Sequence, residues 1–234
     1  ADPAKLVLTL ANNHMLDQRT EGFDETRAAL KGQGIATIGC EAEPVLTLDL
    51  GGVRLALSAF TQWRNAGADD FVGRVTMLDG FRRSGLDALQ AADADLRCVV
   101  AHWDREFRHF PQEETRELAR QIAERGVGLI AGHHAHVLQP AERVGEAFVA
   151  YGLGDFLSTA LPRPPWPTRL GAILCVAISA DAQTKGRVAG YEFMPFFRTR
   201  EGDRETLMPL SELEGTLGAR VRQRFYEIFL DAVG

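Results

Sequence analysis

Five of the six histidines lie just beyond apolar runs that read as strands: His14 after KLVLTLAN, His102 after LRCVVA, and His133, His134 and His136 after VGLIAG. Imidazole is the commonest side-chain ligand for transition metals. Open α/β sheets build their sites beyond the carboxyl ends of their strands. Three separate strands delivering histidine to one edge therefore point to metal-assisted chemistry. The densest group is Gly132-His133-His134-Ala135-His136. Histidines two apart on an irregular turn suit one metal or two adjacent ones, and Zn, Mn, Fe and Ni all accept imidazole nitrogen.

The flanking residues widen the set. Asn12-Asn13-His14 offers a neutral amide oxygen beside an imidazole that can act as ligand or general acid, although asparagine also favours turns. His102 is followed by Asp104 and Glu106. Asp17, three residues past His14, can orient that imidazole as carboxylates do for many working histidines, or can open a helix. Asp155 stands at the exit of a fourth strand and reaches the same edge or fills a turn. His109, in FRHFP, reads as a packing residue.

These groups must be held by a scaffold, and the hydrophobic pattern supplies one. KLVLTLA (5–11) and IATIG (35–39) read as short strands around a helix at 21–33. PVLTLDLGGVRLALSAF (44–60) alternates around Gly51-Gly52, a hairpin signal. Residues 61–83 read as irregular. A helix over 84–96, the strand LRCVVAH, a helix over 112–126 and the strand VGLIAG give the rhythm of an α/β sheet. AFVAYGLGDF (147–156), GAILCVAIS (171–179) and RVAGYEFMPFF (187–197) follow as strands. The proline-rich stretch 162–171 reads as a surface loop, since proline removes donors and fixes φ. An amphipathic helix over 219–233 closes the chain. Without repeats or linkers, residues 1–234 are expected to form one domain.

Composition excludes several classes. The 234 residues carry a net charge of −6, which leaves no basic footprint for nucleic acid and argues against an anionic membrane surface. No apolar stretch reaches the roughly 18 residues a membrane span needs, and no signal peptide is visible. Three widely spaced cysteines, Cys40, Cys98 and Cys175, give no disulfide framework; Cys98 and Cys175 lie in apolar runs and are expected in the core. The chain opens Ala-Asp-Pro and enters a strand within five residues, so an N-terminal part of the domain is expected outside this sequence.

Several strings, in order, resemble the CapA family of capsule or poly-γ-glutamate synthesis proteins, within the calcineurin-like metallophosphoesterase superfamily. LANNHMLD with Gly22, Thr26 and Leu30 resembles the family's LANNHxxD block, AHWDREF its HWGxEY block, GHHAHVLQPAE its HPHVLQPVE block, and AYGLGDFL its YSLGNFL block. Asp104 stands where glycine is usual, and Asp155 replaces asparagine. The resemblance implies an α/β fold, a layered α/β/β/α sandwich with mixed sheets, and divalent metal ions (Mn, Fe or Zn), one or two in number. It implies that Asn13, His102 and His134 bind one metal, that His136 binds the other, and that His14 is the general acid. His133 is an extra neighbour, and His133, Glu106 and Asp155 are candidates for supporting the ligands or touching substrate. The superfamily's N-terminal carboxylates have no counterpart in residues 1–234. Family members are bacterial and often exported or membrane-anchored.

Two adjacent divalent ions can hold the attacking and departing oxygens of an in-line displacement, and a general acid beside them contributes about 10²–10⁴-fold. A metal-dependent hydrolase of the phosphoesterase class is the first expectation, with an anionic small molecule or polymer as substrate. The second is a capsule or polyglutamate biosynthesis accessory that binds or processes an anionic γ-glutamyl polymer, for which Arg105, Arg108 and Arg143 are the candidate cationic track. A structural domain with a degraded site is the third.

Overall fold

In the structure, a computed structural model describing residues 2, 5–157, 165–202 and 204–230, the chain begins with β1 (Val7–Thr9), α1 (Arg19–Gly32) and β2 (Ala36–Ile38). β1 and β2 pair in parallel. The hairpin of β3 (Leu46–Asp49) and β4 (Arg54–Thr61) follows. Its turn residues Gly51 and Gly52 have φ of 68° and 95°, the left-handed conformations that a two-residue hairpin loop needs.

Residues expected to be irregular include α2 (Ala68–Phe71) and α3 (Leu78–Gly80), and α3 continues through a π-helical turn, Phe81–Gly85, into α4 (Leu86–Ala91). The helix expected over 84–96 thus begins earlier and stops at Ala91. Its end has a cause: the Arg97 guanidinium takes the Leu89, Gln90 and Ala92 carbonyls, each at 3.0 Å, and Asp93 and Asp95 turn away to meet Arg54.

Next come β5 (Leu96–His102), α5 (Glu113–Glu124), β6 (Leu129–His133) and a hairpin of β7 (Ala141–Val144), absent from the sequence expectations, with β8 (Ala147–Ala150), the strand expected over 147–156, which stops at Ala150. Part of the proline-rich stretch, 162–164, lies outside the described residues; Trp166–Arg169 forms a 3₁₀ turn rather than loop, with proline at its start, where a missing N–H costs nothing. β9 (Leu170–Ile178), β10 (Val188–Glu201), β11 (Arg204–Pro209) and α6 (Gly215–Leu230) complete the order. β10 runs longer than expected because β11 folds back along it as an antiparallel partner.

The main sheet has the order β3-β4-β5-β6-β8-β7. β4, β5, β6 and β8 run parallel, with antiparallel edges, so four strands end on one side. Alternation along them feeds two cores. Leu55, Leu57, Ala59, Leu96 and Cys98 face β1, α1 and the inner side of β9–β10, whereas Ala56, Phe60, Val99 and Ala101 face α4 and α5. Helices α4 and α5 thus cover one face, and α1 with the strands of the smaller sheets covers the other, the mixed α/β arrangement expected. α6 packs on Phe197 and Leu170 of the smaller sheet.

One cysteine departs from expectation. Cys98 is buried, but Cys175 is exposed, because β9 buries only one face; its partner row on β10 includes Met194, half exposed.

Beneath the future site lies an aromatic brace. Trp103, fully buried, stacks on Tyr151 at 5.8 Å and meets Phe60 edge-on at 6.3 Å. Its indole N–H donates to Tyr151 O at 2.9 Å, crossing over Gly132; a Cβ at 132 would strike both atoms. Glycine is required there so that the exits of β5 and β8 can be tied across β6. Truncating so large a buried ring costs about 3–5 kcal/mol.

Candidate metal centre

The parallel strands deliver their exits to one rim, and β1 adds its own. After β1, Asn12 Oδ1 accepts the His14 N–H at 3.0 Å, turning the chain so that Asn13 points inward, 7% exposed, and His14 outward. After β4, Asn65 N–H donates to Asn13 O at 3.1 Å and Asn65 Oδ1 accepts from Asn13 Nδ2 at 3.0 Å. Backbone and side chain together lock these two exits.

His102, at the end of β5, is buried, and its Nε2 lies 3.0 Å from Asn13 Oδ1 while its Nδ1 lies 3.0 Å from His133 Nδ1. The His134 ring is 4.4 Å from that of His102 and 6.1 Å from that of His136. His136 Nδ1 meets Asp155 Oδ1 at 2.8 Å, and its Nε2 faces Glu106 Oε1 at 3.8 Å. Behind Asp155, the buried Arg198 approaches at 3.5 Å. Two polar atoms here are buried without a hydrogen-bond partner, His133 Nε2 and His134 Nδ1.

The backbone is unusual at the same place. His134 has φ 94° and His136 φ 57°, and the facing turn holds Asp104 at 66° and Phe107 at 63°. Non-glycine residues in this region cost about 1–3 kcal/mol each and cluster at functional sites. The two turns are tied together: Phe107 N–H donates to Ala135 O at 2.7 Å, and the Phe107 ring stacks on His136 at 5.7 Å.

Burial sets the charge state. It pushes the imidazole of His102 far below the ordinary value, helped by its histidine neighbours. Burial also lowers His133 to about 4, and His134 to about 4 against the opposing pull of Glu106. His136 moves the other way, raised chiefly by its hydrogen bond to Asp155. At neutral pH, His102, His133 and His134 are therefore uncharged, the form a metal requires.

Beside this cluster is a cleft of about 560 Å³ lined by Asn13, Trp63, Arg64, Asn65, Arg105, Glu106 and His134. The Trp63 indole is fixed by donating to Asp104 O at 2.6 Å. His14, 61% exposed, has its Nδ1 2.6 Å from Asp17 Oδ2. That carboxylate makes Nδ1 the donor and turns Nε2 outward. The donor set of Asn13, His102, His134, His136 and Glu106, with neutral imidazoles and one buried nitrogen lacking a partner, fits a borderline divalent cation.

Residues 5–160 match the family described as "Bacterial capsule synthesis protein PGA_cap". The chain belongs to this family. It is 30% identical over 162 residues to the capsule biosynthesis protein CapA of Bacillus anthracis, covering 64% of this chain and 39% of that protein. To the PGA biosynthesis protein CapA of Bacillus subtilis it is 28% identical over 159 residues, covering 64% and 42%. The chain thus spans about two fifths of the length of these curated relatives. Among solved structures it is similar to a putative 5′-nucleotidase from Staphylococcus aureus (TM-score 0.49, 12% identity, covering 94% of this chain and 41% of the other). It is similar also to the NAD nucleotidase of Haemophilus influenzae (TM-score 0.49, 13% identity, 93% and 40%).

The PGA_cap chain's departures from the family strings have local explanations. Asp104 occupies a left-handed position, where glycine pays least. Here the aspartate is held by Gln62 Oε1 on its N–H and Gln139 Nε2 on its carboxylate. His109, partly buried, packs against the turn with Nδ1 3.3 Å from Leu138 O. Arg105 lines the cleft, but Arg143 does not join it. It lies toward the entry end of β8, over the Phe148 ring and bonded to Val188 O, so it breaks the expected cationic track. Sequence reasoning missed Trp63, Arg64 and Asn65, although they follow β4 as the histidines follow their strands. It also missed Arg198, whose partner Asp155 is distant in sequence.

No helix among the described residues is long and apolar enough to cross a membrane.

Proposed function

We propose that this PGA_cap chain is a metal-dependent hydrolase of the phosphoesterase class acting on an anionic substrate. The observation that carries this reading is the convergence of Asn13, His102, His134 and His136 from three strand exits beside a cleft that also holds Arg64 and Arg105. A divalent cation bound at these donors supplies Lewis-acid polarisation of the substrate's oxygen. Arg64 and Arg105 bind and orient the anion, and Asn65 fixes Asn13 in place. As water displaces the leaving group, the bond from phosphorus to the leaving oxygen breaks, and protonated His14 gives its Nε2 proton to that oxygen. Asp17 holds His14 Nδ1–H throughout, which leaves Nε2 as the donating nitrogen.

The relatives named for capsule and PGA biosynthesis support a second reading, in which the same cleft binds a γ-glutamyl polymer without turning it over. The assay is hydrolysis of p-nitrophenyl phosphate and bis(p-nitrophenyl) phosphate by the Mn²⁺-loaded protein. His14→Ala should lower turnover by about 10²–10⁴-fold with metal content intact. Fully metal-loaded protein that turns over no phosphoester or γ-glutamyl substrate overturns the hydrolase reading; Arg105→Ala then weakening poly-γ-glutamate binding supports the second.

A further inference from the structure

We propose that Glu106 is a cation ligand, completing with His134 and His136 a three-donor site for one divalent ion. This rests on the reading of the histidine rim as a metal centre, though not on its catalysis.

Geometry favours this grouping over the one that pairs His134 with Asn13 and His102. Asn13 Oδ1 and His102 Nε2 sit 3.0 Å apart and satisfy each other. Glu106, His134 and His136 instead present one donor atom each, all within 4.8 Å of one another, and His134 Nδ1 is buried without a partner. Two donors bound at about 2.1 Å to one ion stand at most about 4.2 Å apart. The Glu106–His136 pair, at 3.8 Å, already meets that limit. No separation exceeds 4.8 Å, so each pair meets that limit with a closure of at most about 0.6 Å.

Each donor is also aimed. Asp155 takes His136 Nδ1–H at 2.8 Å, which leaves Nε2 as the free lone pair, on the side facing Glu106. A carboxylate behind a ligating imidazole is the usual way such a ring is oriented. Glu106 belongs to a turn pinned to the histidine loop by Phe107, through the bond to Ala135 O and the stack on His136. Two left-handed non-glycine residues flank Glu106 in that turn, Asp104 and Phe107. Backbone strain of this kind persists where surrounding contacts over-determine a geometry, and what this turn places is the Glu106 carboxylate. Two imidazoles and a carboxylate make a set that binds Zn, Mn or Fe.

The test is Co²⁺ and Mn²⁺ titration of the metal-stripped protein, followed by calorimetry and by the Co²⁺ visible spectrum, alongside p-nitrophenyl phosphate turnover. Glu106→Gln keeps size and removes charge. It should weaken cation binding at least about tenfold and alter the Co²⁺ bands, while the melting temperature of the metal-free protein stays unchanged. His102→Ala should shift those bands less. The assignment is overturned if Glu106→Gln binds both ions within twofold of wild type with the same Co²⁺ spectrum, whatever the turnover, or if wild type shows no saturable binding. If Glu106→Gln loses affinity and wild type binds yet hydrolyses nothing, the ligand assignment stands and the hydrolase reading falls.

Discussion

Replacing His134 with glycine separates a residue kept for function from one kept for stability. At φ 94° the histidine backbone stores about 1–2 kcal/mol that glycine does not pay. The buried Nδ1 without a partner adds a desolvation penalty of about 1–3 kcal/mol, which the variant also sheds. Against this stand the ring's contacts with His102 and Trp63, at 4.4 and 5.9 Å between centroids. For a half-buried imidazole they are worth about 1–2 kcal/mol, and the greater unfolded freedom of glycine costs about 1 kcal/mol more. The terms nearly cancel. Urea unfolding of the metal-free His134→Gly protein should therefore lie within about 1 kcal/mol of wild type, while Mn²⁺ binding by calorimetry collapses. Truncation of a buried side chain kept for packing costs about 2–5 kcal/mol. A loss of that size, or Mn²⁺ affinity left intact, would refute the reasoning.

Three further outcomes follow from the same geometry. In metal-free protein, the folded imidazoles of His133 and His134, held at about 4 by burial, refuse protons that the unfolded chain accepts below about pH 6.5, so stability falls as pH drops from 7.5 to 5. Each accounts for a loss of about 2 kcal/mol at pH 5; coupling makes their sum about 3 kcal/mol, His102, lowered further, adds to it, and raised His136 offsets part of it, because its stabilisation is absent above its folded pKa and present at pH 5. Equal urea midpoints at the two pH values would contradict this. Gly132→Ala drives a Cβ into the Tyr151 carbonyl and the Trp103 indole and should cost about 2–4 kcal/mol in thermal unfolding. Asp17→Asn, which loosens the 2.6 Å hold on His14, should cut phosphoester turnover about 10–100-fold with Mn²⁺ content unchanged, and an unchanged rate would remove Asp17 from the mechanism.

Much of the scaffold was legible because buried parallel strands are written as unbroken apolar runs. LRCVVA and VGLIAG give themselves away, and the histidines after them mark the rim. The Gly51-Gly52 turn was readable for a stereochemical reason, since few other pairs adopt two positive φ angles. Legibility failed where a tertiary partner made the decision. Phe81-Arg82-Arg83-Ser84-Gly85 winds as a π turn, which breaks the 3.6-residue period and hides the helix beginning at Leu78. The halt at Ala91 is imposed by Arg97 from the next strand. Cys175 misled because LGAILCVAI is apolar on both faces, and alternation cannot say that only one is covered. In the rim, Trp63, Arg64 and Asn65 carry no histidine, and loop residues acquire meaning only once the cleft beside them is seen.

Charge placement in the folded chain bears on which of the two functional readings is stronger. A net charge of −6 repels a long polyanion, and holding one requires cations spaced along a path. The structure instead puts Arg64 and Arg105 together at one cleft with His134, while Arg143 lies toward the opposite ends of the strands, over Phe148. Two guanidinium groups within one cleft, beside the single Glu106 carboxylate, an uncharged imidazole and a fixed indole, focus potential over a few ångströms. Beyond roughly 8 Å in physiological salt the attraction is largely screened. Such a field recognises one anionic group at a time, as hydrolysis of a single ester requires, and gives a continuous polymer little to follow.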